Sequence, residues 1–112
     1  MNIVLDYKDK KLNIKICNKF TSRLLGLMFK KNFDYGLCFP KCSSIHTFFM
    51  KKNIDVIMTD KNFNIIYIYK NLSPNKIILP KKKIYYTFEI PTDYFNFKLN
   101  NNIKKYIKYW KI

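Results

Sequence analysis

Cys38, Cys42 and His46 recur at four-residue intervals, a spacing that invites two kinds of chemistry. Thiolate and imidazole are zinc ligands, but a structural site wants four ligands and a catalytic one three. The fourth would have to be Cys17 or a carboxylate, and the paired C-x-x-C spacing of zinc ribbons is missing. Cys38 lies in an apolar run, where a free cysteine behaves as a small hydrophobe. Neither a metal nor another cofactor is therefore expected. Cys42 and His46 could instead be a nucleophile and its base. Four residues of extended chain span roughly 13 Å, so a turn at Ser43-Ser44 would have to bring the two together. The reading preferred for His46 and its neighbour Thr47 is as polar groups lining a ligand pocket.

Carboxylates pose a separate question. Asp55 interrupts the apolar run Ile54–Met58, and Glu89, the sole glutamate, stands in another beside Pro91. A charge in a core strand is costly unless it is paired or hydrogen-bonded. Arg23, the sole arginine, has the planar fork to serve one or both, and is expected within hydrogen-bond reach of Glu89 or Asp55. The candidate binding set is thus Arg23, Cys42, His46, Thr47, Lys51, Asp55 and Glu89, with no residue assigned as catalytic.

Composition sharpens that choice. Of 22 basic residues, 21 are lysine, and alanine and glutamine are absent, a bias that an A+T-rich coding sequence imposes on any protein. The net charge of +15 is discounted accordingly, because lysine lacks arginine's bidentate fork for phosphate and base edges. Against that bias, Arg23, Gly26, Gly36 and His46 are the only arginine, glycines and histidine, and all fall in one stretch, residues 23–46. Rare residues gathered together point to a local requirement of geometry or chemistry.

These groups must be positioned by strands. A chain of 112 residues has the size of one domain, 1–112, with one core. Ile3–Leu5 and Leu12–Cys17 read as strands around the turn Asp9-Lys10-Lys11, with Leu12, Ile14 and Ile16 alternating against polar residues. A short helix, capped by Thr21 or Ser22, is expected over about 20–29. Gly36–Phe39 and Ile45–Met50 are apolar runs of strand length. Ile54–Met58 and Phe63–Tyr69 flank the polar turn Thr59-Asp60-Lys61-Asn62 and predict a hairpin. Residues 72–80 read as a loop and Ile84–Ile90 as the next strand, while 103–112 fits either a helix or a strand. The expected fold is mainly β: an antiparallel sandwich or barrel with one short helix.

Five segments then resemble a known family in order. Arg23-Leu24-Leu25-Gly26-Leu27-Met28 is similar to an R-x-x-G-L-M segment, and Tyr35–Pro40 to a glycine-led apolar strand. Cys42–Met50 resembles a C-x-S-I/V-H-T-F-x-M motif, Ile54–Asp60 an I/L-D-h-x-h-x-D strand (h apolar), and Phe88-Glu89-Ile90-Pro91 an L-E-L-P segment. Together they resemble the bacterial and archaeal family catalogued as domain of unknown function 192, over about residues 17–107. The resemblance implies a compact β-rich fold that gathers these segments. Thr92-Asp93 stands where the family usually has Ala-Gly, and Asn102–Ile107 lacks its closing Gly-Asp.

The function expected is an accessory or binding domain with a polar cleft for a small ligand or a protein segment. The alternatives are a small enzyme using Cys42 and His46, and a lysine-rich nucleic-acid binder. No apolar run reaches the roughly 20 residues a membrane span needs, and the start Met1–Asp6 carries no export signal, so a cytoplasmic monomer or weak dimer is expected.

Overall fold

In a computed structural model of the chain, residues 2–17 and 34–108 are described. The short helix expected over about 20–29, with Arg23 and Gly26, falls outside them. Strand greatly outweighs helix among the described residues, as the β-rich runs require. The elements are β1 (Asn2–Tyr7), β2 (Lys10–Ile16), β3 (Tyr35–Pro40), β4 (Ile45–His46), β5 (Ile54–Thr59), β6 (Ile65–Leu72), β7 (Ile77–Ile78), β8 (Tyr86–Pro91), a 3-10 turn at Ile103–Tyr106 and β9 (Ile107–Lys108). The described part of the ambiguous tail, 103–108, is thus first 3-10 and then strand.

A seven-stranded sheet runs β6-β5-β8-β3-β2-β1-β9, and β4 pairs with β7 in a separate ribbon. All neighbours are antiparallel except β2 and β3, which are parallel, so the sheet is mixed rather than purely antiparallel. Parallel strands need a long crossover, and residues 17–34 between them provide the length. The predicted β5–β6 hairpin is present. Its turn is held by Asp60, whose Oδ1 accepts from the backbone N–H groups of Asn62 (2.9 Å) and Asn64 (3.0 Å). At the far end Ile65 N–H donates to Asn101 O (2.9 Å) and Ile103 N–H to Phe63 O (2.9 Å). These bonds draw the β6 edge toward the β9 end, curling the sheet partway to a barrel.

Two cores follow from the two faces. Ile3, Leu5, Leu12, Ile14, Cys38, Ile57, Phe88 and Ile90 pack inside the curl with Phe95, Phe97 and Ile103. Leu37, Phe39, Ile54, Val56 and Met58 face the other way, against Cys17, Cys42, Met50 and Ile78. The central strands β3, β5 and β8 are therefore covered on both sides. This explains why Ile54–Met58 is apolar on both faces apart from Asp55, whereas β2 alternates. Gly36 sits where those strands crowd together: a Cβ there would lie 2.6 Å from Ile14 Cδ1 and 3.0 Å from the Glu89 carbonyl oxygen. No larger side chain fits without moving backbone.

The expected Ile45–Met50 strand stops after His46. Thr47 turns inward, its carbonyl accepts from the Met50 N–H (3.2 Å), and Phe49 adopts φ 63°. A long-range tie ends the strand, as the Thr47 bonds below show.

Candidate functional site

Asp55 is buried in β5 and joins three segments. Lys70 and Asn71 bulge out of β6 between the pairs Ile54–Leu72 and Val56–Tyr69, opposite this one residue. A bulge releases a backbone N–H from the ladder, and Asp55 captures it: Oδ1 accepts from Asn71 N–H at 2.7 Å. Oδ2 accepts from Lys70 Nζ at 2.7 Å and from Asp93 N–H at 3.1 Å. Lys70 also donates to Phe95 O (3.3 Å) and lies 3.7 Å from the exposed Asp93 carboxylate. Asp93 has φ 57°, a left-handed conformation that suits glycine and is tolerated by aspartate. That accounts for the Ala-Gly the family resemblance implies at Thr92-Asp93. Among the described residues the cation paired with Asp55 is Lys70; Arg23, and its expected pairing, lies outside them.

Glu89 is the opposite case. Between Leu37 of β3 and Val56 of β5, its side chain enters the second core and is 5% exposed. No hydrogen bond or ion pair from a described residue reaches its carboxyl group. Burial pushes that carboxyl up to about 8 from an ordinary 4.5, so it is mostly protonated at neutral pH. It can then donate a hydrogen bond as well as accept one. Cys17 lies close enough that burial first, and the Glu89 charge second, push its thiol up to about 11. Two residues along the same face, buried Thr87 donates its hydroxyl to the Cys42 carbonyl (2.8 Å), tying the 42–50 loop down over β8.

The loop's own groups are spoken for differently. Cys42 is buried and its thiol donates to Ser44 O at 3.0 Å. Cys38 points into the first core and Cys42 into the second, so their four-residue spacing does not converge. Among the described residues, no group of three His, Cys, Asp or Glu side chains could hold a metal ion. His46 is exposed; its Nδ1 accepts from Phe48 N–H (3.2 Å) and its ring stacks on Phe48 at 4.9 Å. No hydrogen bond joins it to Cys42. Thr47 is buried: its hydroxyl donates to Ser73 O and accepts from Lys76 N–H, both at 2.8 Å, and its N–H donates to Lys76 O at 2.8 Å. It pins the 47–50 loop to residues 73–76. Lys51 is exposed at the loop's end.

The structure thus separates the sequence candidates into three places. Asp55 sits in a carboxylate knot on one flank, Glu89 and Thr87 line the buried face of β8, and His46 and Lys51 lie on the outer surface. Sequence reasoning missed Lys70, one lysine among many, and the backbone donors of Asn71 and Asp93, which carry no side-chain signal. It also missed a shallow depression of about 150 Å³ beside Tyr94 and Phe95, walled in part by Lys8 and Lys10.

Thiol reactivity separates a packed cysteine from a catalytic one. Burial also pushes Cys38 up, aided by its neighbours Cys17 and Cys42. In the folded chain Cys17, Cys38 and Cys42 are each expected to react with iodoacetamide at least about tenfold more slowly than in urea. Mass spectrometry of a labelling time course checks this. A Cys42 that reacts faster folded than unfolded would restore the nucleophile reading.

Fold and site together define a small β domain with a two-faced mixed sheet, a carboxylate knot and one buried acid. The chain belongs to the DUF192 family, described as Uncharacterized ACR, whose model matches residues 3–104. It is 40% identical over 84 residues to the UPF0127 protein PH1112 of Pyrococcus horikoshii, covering 70% of this chain and 71% of that protein. To a UPF0127 protein of Thermococcus sibiricus it is 34% identical over 99 residues, covering 80% of this chain and 64% of the other. The crystal structure of a protein of unknown function from Novosphingobium aromaticivorans shares the fold, with TM-score 0.67 at 14% identity, covering 83% and 74% of the two chains. No helix among the described residues is long and apolar enough to cross a membrane.

Proposed function

We propose that this chain is a non-catalytic binding module that holds a small ligand or a protein segment in a polar cleft over β8, with Glu89 as the recognising group. One observation carries the reading: the Glu89 carboxyl is buried without a hydrogen-bond or ionic partner among the described residues, and burial raises it to about 8. A carboxyl held inside a core strand calls for an explanation, because its charge is costly to bury. A protonated carboxyl offers a ligand one donor and one acceptor, enough to recognise an amide, a carbonyl or a hydroxyl. The enzyme alternative has less support, because Cys42 and His46 are each engaged with backbone groups and not with one another.

Fragment titration followed by amide NMR shifts tests the proposal, using a library of small amides and alcohols. Shifts centred on Leu37, Val56 and Thr87 are expected in the wild type. Glu89→Gln, which keeps a neutral donor and acceptor, should preserve them, and Glu89→Leu should abolish them. Binding that survives Glu89→Leu would place the site elsewhere.

A further inference from the structure

The outer face of the β4–β7 ribbon is a second feature, remote in role from Glu89. His46 pairs with Ile77, and Ile45 with Ile78, so the first pair's side chains share one side and the second pair's the other. Ile78 is buried in the second core, which turns Ile77 outward, and Leu79 falls on the same side two residues on. Ile77 is 58% exposed and Leu79 67%. His46 presents its ring beside them, stacked on Phe48. Phe49 holds the left-handed φ of 63° that a bulky residue rarely adopts, and as a residue it is 59% exposed. The loop is fixed in that shape from behind, since the Thr47 carbonyl accepts from both Met50 N–H and Asn75 N–H.

Charge around this surface has one sign. Segments 35–54 and 61–88, which build the ribbon and its surroundings, contain no aspartate or glutamate, yet they carry Lys51, Lys52, Lys76 and the run Lys81-Lys82-Lys83. Lys81 is drawn in by its N–H bond to Ser43 O (3.2 Å). An exposed apolar cluster rimmed by polar residues marks an interaction surface, and the sign of the rim selects the partner. A second copy of this chain would bring lysine against lysine, a poor fit for a chain of net charge +15. We infer that the ribbon docks an acidic segment of another protein that carries large apolar side chains, which seat on Ile77, Leu79 and Phe49 while its carboxylates meet the lysine rim.

The full chain and a fluorescein-labelled twelve-residue peptide of alternating glutamate with leucine and phenylalanine provide the test, by fluorescence anisotropy. Saturable binding is expected, weakening as salt rises. It should be about tenfold weaker with Ile77→Ser/Leu79→Ser and about tenfold weaker with Lys76→Glu/Lys81→Glu. All four positions are exposed or at the rim, and unchanged circular dichroism melting confirms that the variants fold. A peptide with serine in place of its apolar residues should bind at least about tenfold less tightly. Equal binding by that peptide, absence of binding, or displacement by single-stranded dT oligonucleotide with the same dependence on Ile77 and Leu79 would each overturn the inference. So would dimerisation in light scattering that Ile77→Ser/Leu79→Ser abolishes. Because Glu89→Leu leaves this surface intact, the peptide should bind that variant as it binds the wild type, whatever becomes of the β8 cleft.

Discussion

Raising the pH from about 5 to about 8.5 is expected to cost the wild-type chain about 4 kcal/mol of unfolding free energy that a Glu89→Gln variant keeps. The sign follows from where the proton sits. The folded carboxyl titrates at about 8 and the unfolded one near 4.5. Below the lower value both states are protonated, and Glu89 imposes no electrostatic penalty. Between the two values the unfolded chain has released its proton while the folded chain retains it, so unfolding becomes more favourable with each step in pH. Above the upper value the loss is complete. Cys17 and Cys38, both also raised by burial, disfavour the folded state in the same sense as pH rises, but only at higher pH, where the thiols of the unfolded chain begin to ionise. Urea unfolding across this range, wild type against Glu89→Gln, isolates the carboxyl. Since a domain of this kind holds only about 5–15 kcal/mol in total, the effect is large. An ionised Glu89 held by the Arg23 guanidinium would reverse the slope, with stability lost as pH falls, so the same titration decides between the two arrangements.

How much of this could be read from the chain differs between elements, for physical reasons. The β5–β6 hairpin was legible because its turn is local: Asp60 sits between two β-branched, aromatic runs and bonds amides two and four residues away. β2 was legible from its alternation, which reports one buried and one exposed face. The parallel β2–β3 pairing was not, because register between distant strands is a tertiary choice with no local mark. Ile45–Met50 read as a strand, and the hydroxyl that ends it bonds residues 26 and 29 positions away. Residues 72–80 read as a loop, yet Ile77-Ile78 pairs with β4 as a short strand, and of Ile77-Ile78-Leu79 only the middle residue is buried. The missing carboxylates across 61–88 were the one sequence signal that this surface differs from the rest. Asp55 and Glu89 stood out as carboxylates in apolar runs, and both are buried. What the runs did not reveal is that Asp55 is held by groups among the described residues while no described residue bonds the Glu89 carboxyl, since the groups that hold Asp55 are mostly backbone amides.

That distinction sets the size of the second effect. Asp55→Ala is expected to destabilise the chain by about 3–5 kcal/mol, because it strands several groups at once. Asn71 N–H at the β6 bulge and Asp93 N–H at the turn after β8 both lose their acceptor, and Lys70 loses its near counter-charge. Each of these part-buried amide bonds goes to a charged acceptor, and such bonds contribute about 1.5–3 kcal/mol each. Lys70→Met removes the ion pairs with Asp55 and Asp93 and the bond to Phe95 O, and leaves the backbone donors in place. Its side chain is 42% exposed, where water screens the charge and such pairs contribute about 1 kcal/mol or less. The remaining carboxylate keeps both backbone donors. Urea unfolding at neutral pH should therefore rank Asp55→Ala well above Lys70→Met, with Asp55→Asn between them, since the amide retains one acceptor oxygen for two backbone N–H groups, one from β6 and one from the turn after β8. Equal losses from Asp55→Ala and Lys70→Met would mean that charge pairing, and not capture of the bulge and turn amides, holds β5 to its two neighbours. With capture dominant, amide hydrogen exchange should show the Asp55→Ala loss spreading from Asn71 and Asp93 along both strand pairs, while Lys70→Met leaves those amides protected.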